Sequence, residues 1–246
     1  MRAIVHRALV GAITAWLAIS SGAGEGGSEG WTDLIGAQGL EAWRTPTGAW
    51  LVAGDARSDP ERPARLVAAP GSGVIINGRA GKTTNLVSRQ DFGDLEAHFE
   101  FLIPKGSNSG VKFETLYEIQ IADSFGVAPP KASHNGGIYP RAELLPRYHY
   151  LDEGIPPRVN ASRPAGQWQI LDVSFRAPRF DASGKKVQNA RFDKVVLNGQ
   201  VIHQDVEVKT PTGHYWRLKE MPRGPILLQA DHGPVAFRNI RVRRRD

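Results

Sequence analysis

From residue 49 onward, apolar and polar positions alternate in short runs separated by Gly, Pro, Asn and Asp. A period of two is the mark of half-buried strands. The clearest run has Leu95, Ala97, Phe99 and Phe101 alternating with Glu96, His98 and Glu100, and Ile170 and Phe175 mark another after Trp168. Strands are expected over 49–53, 65–68, 73–77, 84–88, 94–103, 110–115, 117–123, 168–177, 191–197, 200–207, 225–231 and 235–243. No segment sustains a period of 3.6. The best helical candidate, around 31–43, is brief and carries two internal glycines. The pattern predicts an all-β domain, a two-sheet sandwich or jelly roll. It contains no fixed-period repeat and no second compositional domain. Two long connections stand out, the proline-rich 124–166 and the polar 178–190. Long irregular loops in a compact domain tend to be functional. The first carries His134, Tyr139, Arg141, Glu143, His149 and Asp152, and is expected to wall or cover a cleft.

The segment Tyr117-Glu118-Ile119-Gln120-Ile121-Ala122-Asp123 is the most informative for chemistry. Strand side chains alternate between faces. Tyr117, Ile119 and Ile121 can fill a core while Glu118 and Gln120 point together from the other face. Such a polar face on a rigid sheet suits sugar binding and cleavage.

Composition narrows the setting. The chain has 246 residues, 41% of them hydrophobic, enough for one large all-β domain. It has no cysteine, which excludes disulfides, thiolate metal sites and cysteine nucleophiles. Arg2 and Arg7, the apolar run Ala8–Ile19 and the small residues Ser20-Ser21-Gly22-Ala23-Gly24 read as a signal peptide over 1–23. The run is too short for a stable membrane anchor. A glycine-rich linker over 24–30 and a single domain over 31–246 follow. A periplasmic or secreted bacterial protein is expected. The formal charge of +6 lies partly in that leader and partly in the tail residues Arg238, Arg241, Arg243, Arg244 and Arg245. With an export signal, that tail reads as a solvated last strand, and no nucleic-acid partner is expected.

A further set of motifs occurs in order. Trp31-Thr32-Asp33-Leu34 precedes Leu40-Glu41-Ala42-Trp43, followed by Phe92-Gly93-Asp94-Leu95, Asn108-Ser109-Gly110-Val111, Tyr117-Glu118-Ile119-Gln120 and Gly137-Ile138-Tyr139. Then come Gly166-Gln167-Trp168, Leu197-Asn198-Gly199, Gly224-Pro225-Ile226-Leu227-Leu228-Gln229 with His232-Gly233, and Phe237-Arg238-Asn239-Ile240. Over residues 30 to 243 the chain resembles the 3-keto-disaccharide hydrolase family, also described as the 3-keto-glucoside-1,2-lyase and 3-keto-2-hydroxy-glucal hydratase domain. The resemblance implies a concanavalin-like jelly-roll β-sandwich of two antiparallel sheets with loops over a concave sugar site. It also implies action on an oligosaccharide or glycoside oxidised at C3.

In a 3-keto sugar the carbonyl acidifies the C2 proton, and loss of that proton can expel the C1 oxygen. Water addition then completes a net hydrolysis. This needs a base near C2, donors at the C3 oxygen and an acid for the leaving group. Glu118 is the candidate base and His232 the candidate acid or second base, its imidazole able to change charge near neutral pH. Asp231 is not expected to orient His232, because adjacent strand residues face apart. Lys112 could stabilise an enolate. Asn108 serves either a tight turn or the ligand, and Gln120 either the ligand or a strand bridge. Asp123 needs a bulge to return to the face of Glu118. Tyr139, Arg141 and Glu143 are candidate substrate-binding residues on the long loop, Tyr139 by stacking on sugar. No cofactor and no dedicated metal site are expected. Glu96, His98 and Glu100 share a strand face but are spaced about 7 Å per step. Two other functions fit the same residues. Glu118 to Asp123 resembles the bulged strand of laminarinase-type β-glucanases, whose retaining mechanism needs two carboxyls about 5–5.5 Å apart. A non-catalytic sugar-binding module is the other.

Overall fold

The computed structural model describes residues 30–246 except 37, 38 and 79. The expected signal peptide, and all but Gly30 of the expected linker, lie outside the described residues. Sixteen strands follow in chain order: β1 (Trp31–Asp33), β2 (Leu51–Ser58), β3 (Leu66–Ile76), β4 (Leu86–Phe92), β5 (Leu95–Leu102), β6 (Asn108–Phe113), β7 (Tyr117–Ala122), β8 (Ala142–Glu143), β9 (His149–Tyr150), β10 (Gln169–Arg176), β11 (Arg179–Phe180), β12 (Lys186–Gln188), β13 (Ala190–Leu197), β14 (Gln200–Val208), β15 (Gly224–Leu228) and β16 (Ala236–Arg244). There is no helix among the described residues. The candidate at 31–43 is instead an extended start, β1 paired to β16, followed by bends. Its glycines favour this, since Gly39 sits at φ +92.

Two antiparallel sheets form the jelly-roll sandwich. The larger runs β14-β13-β10-β5-β16-β3-β2, and the smaller β4-β15-β6-β7. Strand β16 serves β3 with Ala236–Arg238 and β1 with Arg241–Arg243. The switch coincides with a bulge against β5 between Arg238 and Arg241, where Asn239 adopts φ 49. Asparagine tolerates that left-handed conformation. Glu100 locks the bulge by accepting from Arg238 Nε at 2.7 Å and from Asn239 Nδ2 at 2.6 Å. Two arginines of the basic tail are thus held by carboxylates of β5, Arg238 by Glu100 and Arg243 by Glu96, while Arg245 reaches Asp193 of β13.

The core lies between the sheets. Phe113 and Tyr117 of the small sheet meet Phe99, Phe175 and Phe192 of the large one, with Phe113 to Phe175 and Phe192 at centroid distances of 5.2 and 5.5 Å. In β10 it is Leu171, Val173 and Phe175 that face this core. Ile170, an odd number of residues from Phe175, falls on the half-buried outer face. With Tyr117, Ile119 and Ile121 fully inside, Glu118 and Gln120 must emerge from the outer face of the small sheet.

Connection 123–168 folds over that face and continues the sheet beyond β7. Gln120 N donates to Gly137 O and Gly136 N donates to Gln120 O, both at 2.8 Å. A polar network under the loop joins Asn135 to Gln169, and Asn198 to Gln169, at 3.1 Å each. His203 of β14 fastens the same loop, its Nε2 donating to Gly136 O at 2.7 Å.

His203 is 2% exposed, and burial holds its imidazole below the ordinary histidine range. The folded protein therefore binds fewer protons here than the unfolded chain. This contribution is complete above the unfolded value of about 6.5 and is lost as pH falls below it. Urea unfolding should show stability declining from pH 7 to pH 5, and His203→Gln should flatten that slope by up to about 1.4 kcal/mol per pH unit. An unchanged slope in the variant would contradict this assignment.

Candidate active site

Antiparallel register places Lys112 of β6 directly opposite Glu118 of β7. Both side chains leave the outer face, and Lys112 Nζ meets Glu118 Oε2 at 2.9 Å with each side chain about 95% covered. Gly110, diagonal to Glu118, makes this possible. A Cβ at Gly110 would lie 2.4 Å from Glu118 Oε1 and 3.1 Å from its Cδ. The Asn108-Ser109-Gly110 motif thus supplies space for a carboxylate.

The pair opens into a cleft of about 460 Å³, lined by Asn85, Asn108, Lys112, Glu118, Tyr139, Leu144, Tyr148, Gly213, His214, Tyr215, Gln229, Asp231 and His232. One wall is the turn after β15, held rigidly. Asn77 donates through Nδ2 to Ala230 O at 3.0 Å and Gly233 O at 2.7 Å, and accepts from Val235 N at 2.8 Å. Asn85 accepts from Ala230 N, while Ser107 and Ser109 donate to Pro234 O and Gln229 O. Gly233, at φ +148, passes so close to Ser107 that a Cβ would lie 2.4 Å from its Oγ. On this turn His232 Nδ1 lies 2.6 Å from Asp231 Oδ1. A carboxylate only accepts, so the shorter contact has Nδ1 donating to Asp231, with Gln229 Nε2 3.2 Å from the same nitrogen. The expectation that Asp231 and His232 face apart is therefore corrected. Strand β15 ends at Leu228, and alternation does not extend into the turn.

The opposite wall joins the long loop to the segment after β14. Thr212 Oγ1 accepts from Glu118 N at 3.1 Å and donates to Leu116 O at 2.9 Å, tying this segment to β7. Gly213 N donates to Pro140 O, and Gly213 O accepts from Ala142 N. This carries His214 and Tyr215 into the cleft, with the Tyr215 ring 4.6 Å from Lys112 Nζ. His214 stands at the rim, and the protein behind it, then Lys112, hold its imidazole below the usual range. Its neutral form is favoured near pH 7. Tyr139 is kept neutral by burial and by bonds to the Tyr148 and Tyr150 hydroxyls, each at 3.0 Å.

Five of the nine candidate residues read from the sequence, Glu118, His232, Asn108, Lys112 and Tyr139, line this one cleft. Four do not. Gln120 shares the face of Glu118 but is sealed beneath the loop, 2% exposed, with Nε2 toward Ser133 O. Asp123 accepts from Gly106 N at 2.9 Å and closes the turn before β6. Arg141 is clipped to Asp152 at 2.6 Å, and Glu143 to Arg217 at 2.8 Å, which spends both on loop structure. Sequence reasoning missed His214, Tyr215, Tyr148, Asn85 and Gln229. The available signal was Gly213-His214-Tyr215-Trp216 in a connection without strand alternation. Among the described residues no group of three or more His, Asp or Glu is placed to hold a metal ion. His98 is bonded to Asp172 at 2.6 Å, and Glu96 and Glu100 are engaged by arginines.

A jelly-roll sandwich with a polar, aromatic-walled cleft on its smaller sheet is an architecture suited to a carbohydrate ligand. The chain belongs to the 3-keto-alpha-glucoside-1,2-lyase-like domain family, whose sequence signature matches residues 30–243. Its fold is similar to crystal structures of proteins from Parabacteroides distasonis ATCC 8503 assigned provisionally as glycosyl hydrolases. One, at 24% identity and a TM-score of 0.65, covers 87% of this chain and 84% of its own. Another has 16% identity and a TM-score of 0.53, covering 88% and 95%. A third has 21% identity and a TM-score of 0.51, covering 87% and 98%. No curated protein matches the chain significantly.

The Gly110 contact generates a test. Gly110→Ala should cost about 1–3 kcal/mol in urea unfolding by displacing a packed carboxylate. In a Glu118→Ala background the cost should shrink by at least about 1 kcal/mol, because the obstruction is gone. Additive costs would show that Gly110 is not there to house Glu118.

Proposed function

We propose that this protein is an exported enzyme that cleaves 3-keto-glycosides by C2 proton abstraction, elimination at C1 and hydration. The observation that carries the reading is the Lys112–Glu118 pair, set into a cleft that also receives His232 and His214. Glu118 takes the C2 proton. As its charge is neutralised, negative charge develops on the C3 oxygen, and Lys112, already positioned, follows that charge. The enolate collapses to restore the C3 carbonyl, forms a C1–C2 double bond and breaks the bond from C1 to its oxygen substituent. His232, held by Asp231 through Nδ1, gives a proton from Nε2 to the departing oxygen. Water then adds hydroxide to C1 and returns a proton to His232, while Glu118 returns its proton to C2. Glycoside and water become 3-keto sugar and free alcohol, and each protein group ends as it began. His214, neutral near pH 7, is suited to hold the attacking water.

This reading is favoured over a β-glucanase-type glycosidase because the Glu118–Asp123 segment delivers only one carboxylate to the cleft, and the other carboxylate there, Asp231, is bonded to His232. Asp123 is turned to the backbone of Gly106. It is favoured over a sugar-binding module by the buried charge pair. Covering two charges costs stability that binding alone would not require. The basic, then apolar, then small-residue pattern of residues 1–23 supports export to a periplasm or the exterior.

Incubation with a 3-keto-glucoside in deuterated water should place deuterium at C2 of the product at early conversion, as followed by NMR. Glu118→Gln should lower kcat by about 10²–10⁴-fold, the range typical of a lost general base. Product formed without C2 deuterium, or full activity in Glu118→Gln, would overturn the proposal.

A further inference from the structure

The two walls of the cleft differ in chemistry. The sheet and the turn after β15 contribute Asn85, Asn108, Lys112, Glu118, Asp231 and His232. The opposite wall combines Tyr139, Leu144 and Tyr148 of the long loop with His214 and Tyr215 of the segment after β14. Leu144 is 53% exposed and Tyr148 47% exposed, and both border the cleft. The same segment also exposes Leu145, Tyr150 and Leu151. Surface loops are ordinarily polar, and apolar groups gathered at the mouth of a cleft signal a ligand.

The polar groups that the long loop itself supplies are bonded to neighbouring side chains, while His214 and Tyr215 carry polar atoms on the same wall. Tyr148 donates its hydroxyl hydrogen to Tyr139, whose hydroxyl is 3.0 Å from that of Tyr150. The rings of Tyr148 and Tyr150 meet edge-on at 5.7 Å, as do those of Tyr139 and Tyr150, so the three form a braced unit. Arg141 is held by Asp152 and Glu143 by Arg217. A second sugar would need several hydrogen-bond partners along the loop, beyond the reach of His214 and Tyr215 alone. An apolar group needs only the surface that Leu144 and the Tyr148 ring offer.

We infer that the cleft takes 3-keto-glycosides whose leaving group is an apolar alcohol, with Leu144 and Tyr148 forming the subsite for it. The inference rests on the reading of the cleft as a 3-keto-glycoside site. The sugar lies against the polar wall, its C2 toward Glu118, and the aglycone lies along the loop. Bound this way, an amphipathic substrate is oriented by both walls at once.

The test uses 3-keto-glucosides of methanol, butanol and cyclohexylmethanol in both anomeric forms, together with a 3-keto-disaccharide. The three alcohols leave with similar ease, so differences in kcat/KM report contact and not leaving-group chemistry. From methyl to cyclohexylmethyl, kcat/KM should rise at least about 10-fold, as expected for several methylenes in an apolar pocket. In Leu144→Ser the rise should fall to about 3-fold or less. A level series, or a disaccharide preferred over the cyclohexylmethyl glycoside, would overturn the subsite. Turnover of none of them would overturn the proposed reaction instead. Calorimetric affinities of the same series would then still decide the subsite. A 10-fold rise that Leu144→Ser removes supports it, and a level series refutes it.

Discussion

Two opposite charges, Lys112 Nζ and Glu118 Oε2, lie 2.9 Å apart on neighbouring strands with almost no contact with solvent. Burying such a pair is expensive, and losing either partner alone leaves an uncompensated charge at a cost of roughly 3–5 kcal/mol. Much of the surrounding structure can be traced to accommodating it. The aromatic core of Phe99, Phe113, Tyr117, Phe175 and Phe192 fixes which way β7 faces, and so sends Glu118 outward. Register brings Lys112 opposite, and Gly110 clears the space. The Tyr215 ring beside Lys112 shields the pair from water while leaving it on the boundary of the cleft.

Rigidity around the pair is distributed over backbone clamps. Asn77 holds three backbone groups of the turn bearing His232, and Thr212 ties the segment bearing His214 to the strand bearing Glu118. Most of these clamps come from small polar side chains far away in sequence. Groups presented to a ligand are thereby fixed before it arrives, which is how preorganised charges and donors lower a barrier without reorganising during the reaction.

Alternation made most of the sheet legible. The runs at 94–103, 110–115 and 117–123 correspond to β5, β6 and β7, and parity alone put Glu118 on the outer face. The short pairs β8–β9 and β11–β12, and strand β1, were not legible because two or three residues carry no period. Parity also states which face a side chain leaves, not what covers that face. Gln120 and Glu118 look equivalent in sequence and are both almost wholly covered, yet Gln120 turns its amide to Ser133 O beneath the loop, while Glu118 lies on the lining of the cleft beside Lys112. Parity could not place Arg141 and Glu143, because their partners, Asp152 and Arg217, are set by loop geometry. The family motifs reached Asn108, Tyr139 and His232, which no periodicity singles out. His214 escaped because its segment matches neither a strand pattern nor a motif.

The central claim is that the buried charge pair addresses the C2–C3 edge of an oxidised sugar. A crystal structure of the Glu118→Gln protein soaked with a 3-keto-glucoside tests it most directly. The account predicts sugar in the cleft with the C3 oxygen within hydrogen-bond distance of Lys112 Nζ and C2 facing residue 118. A sugar seated with its carbonyl turned away from Lys112, or bound outside the cleft, would contradict it.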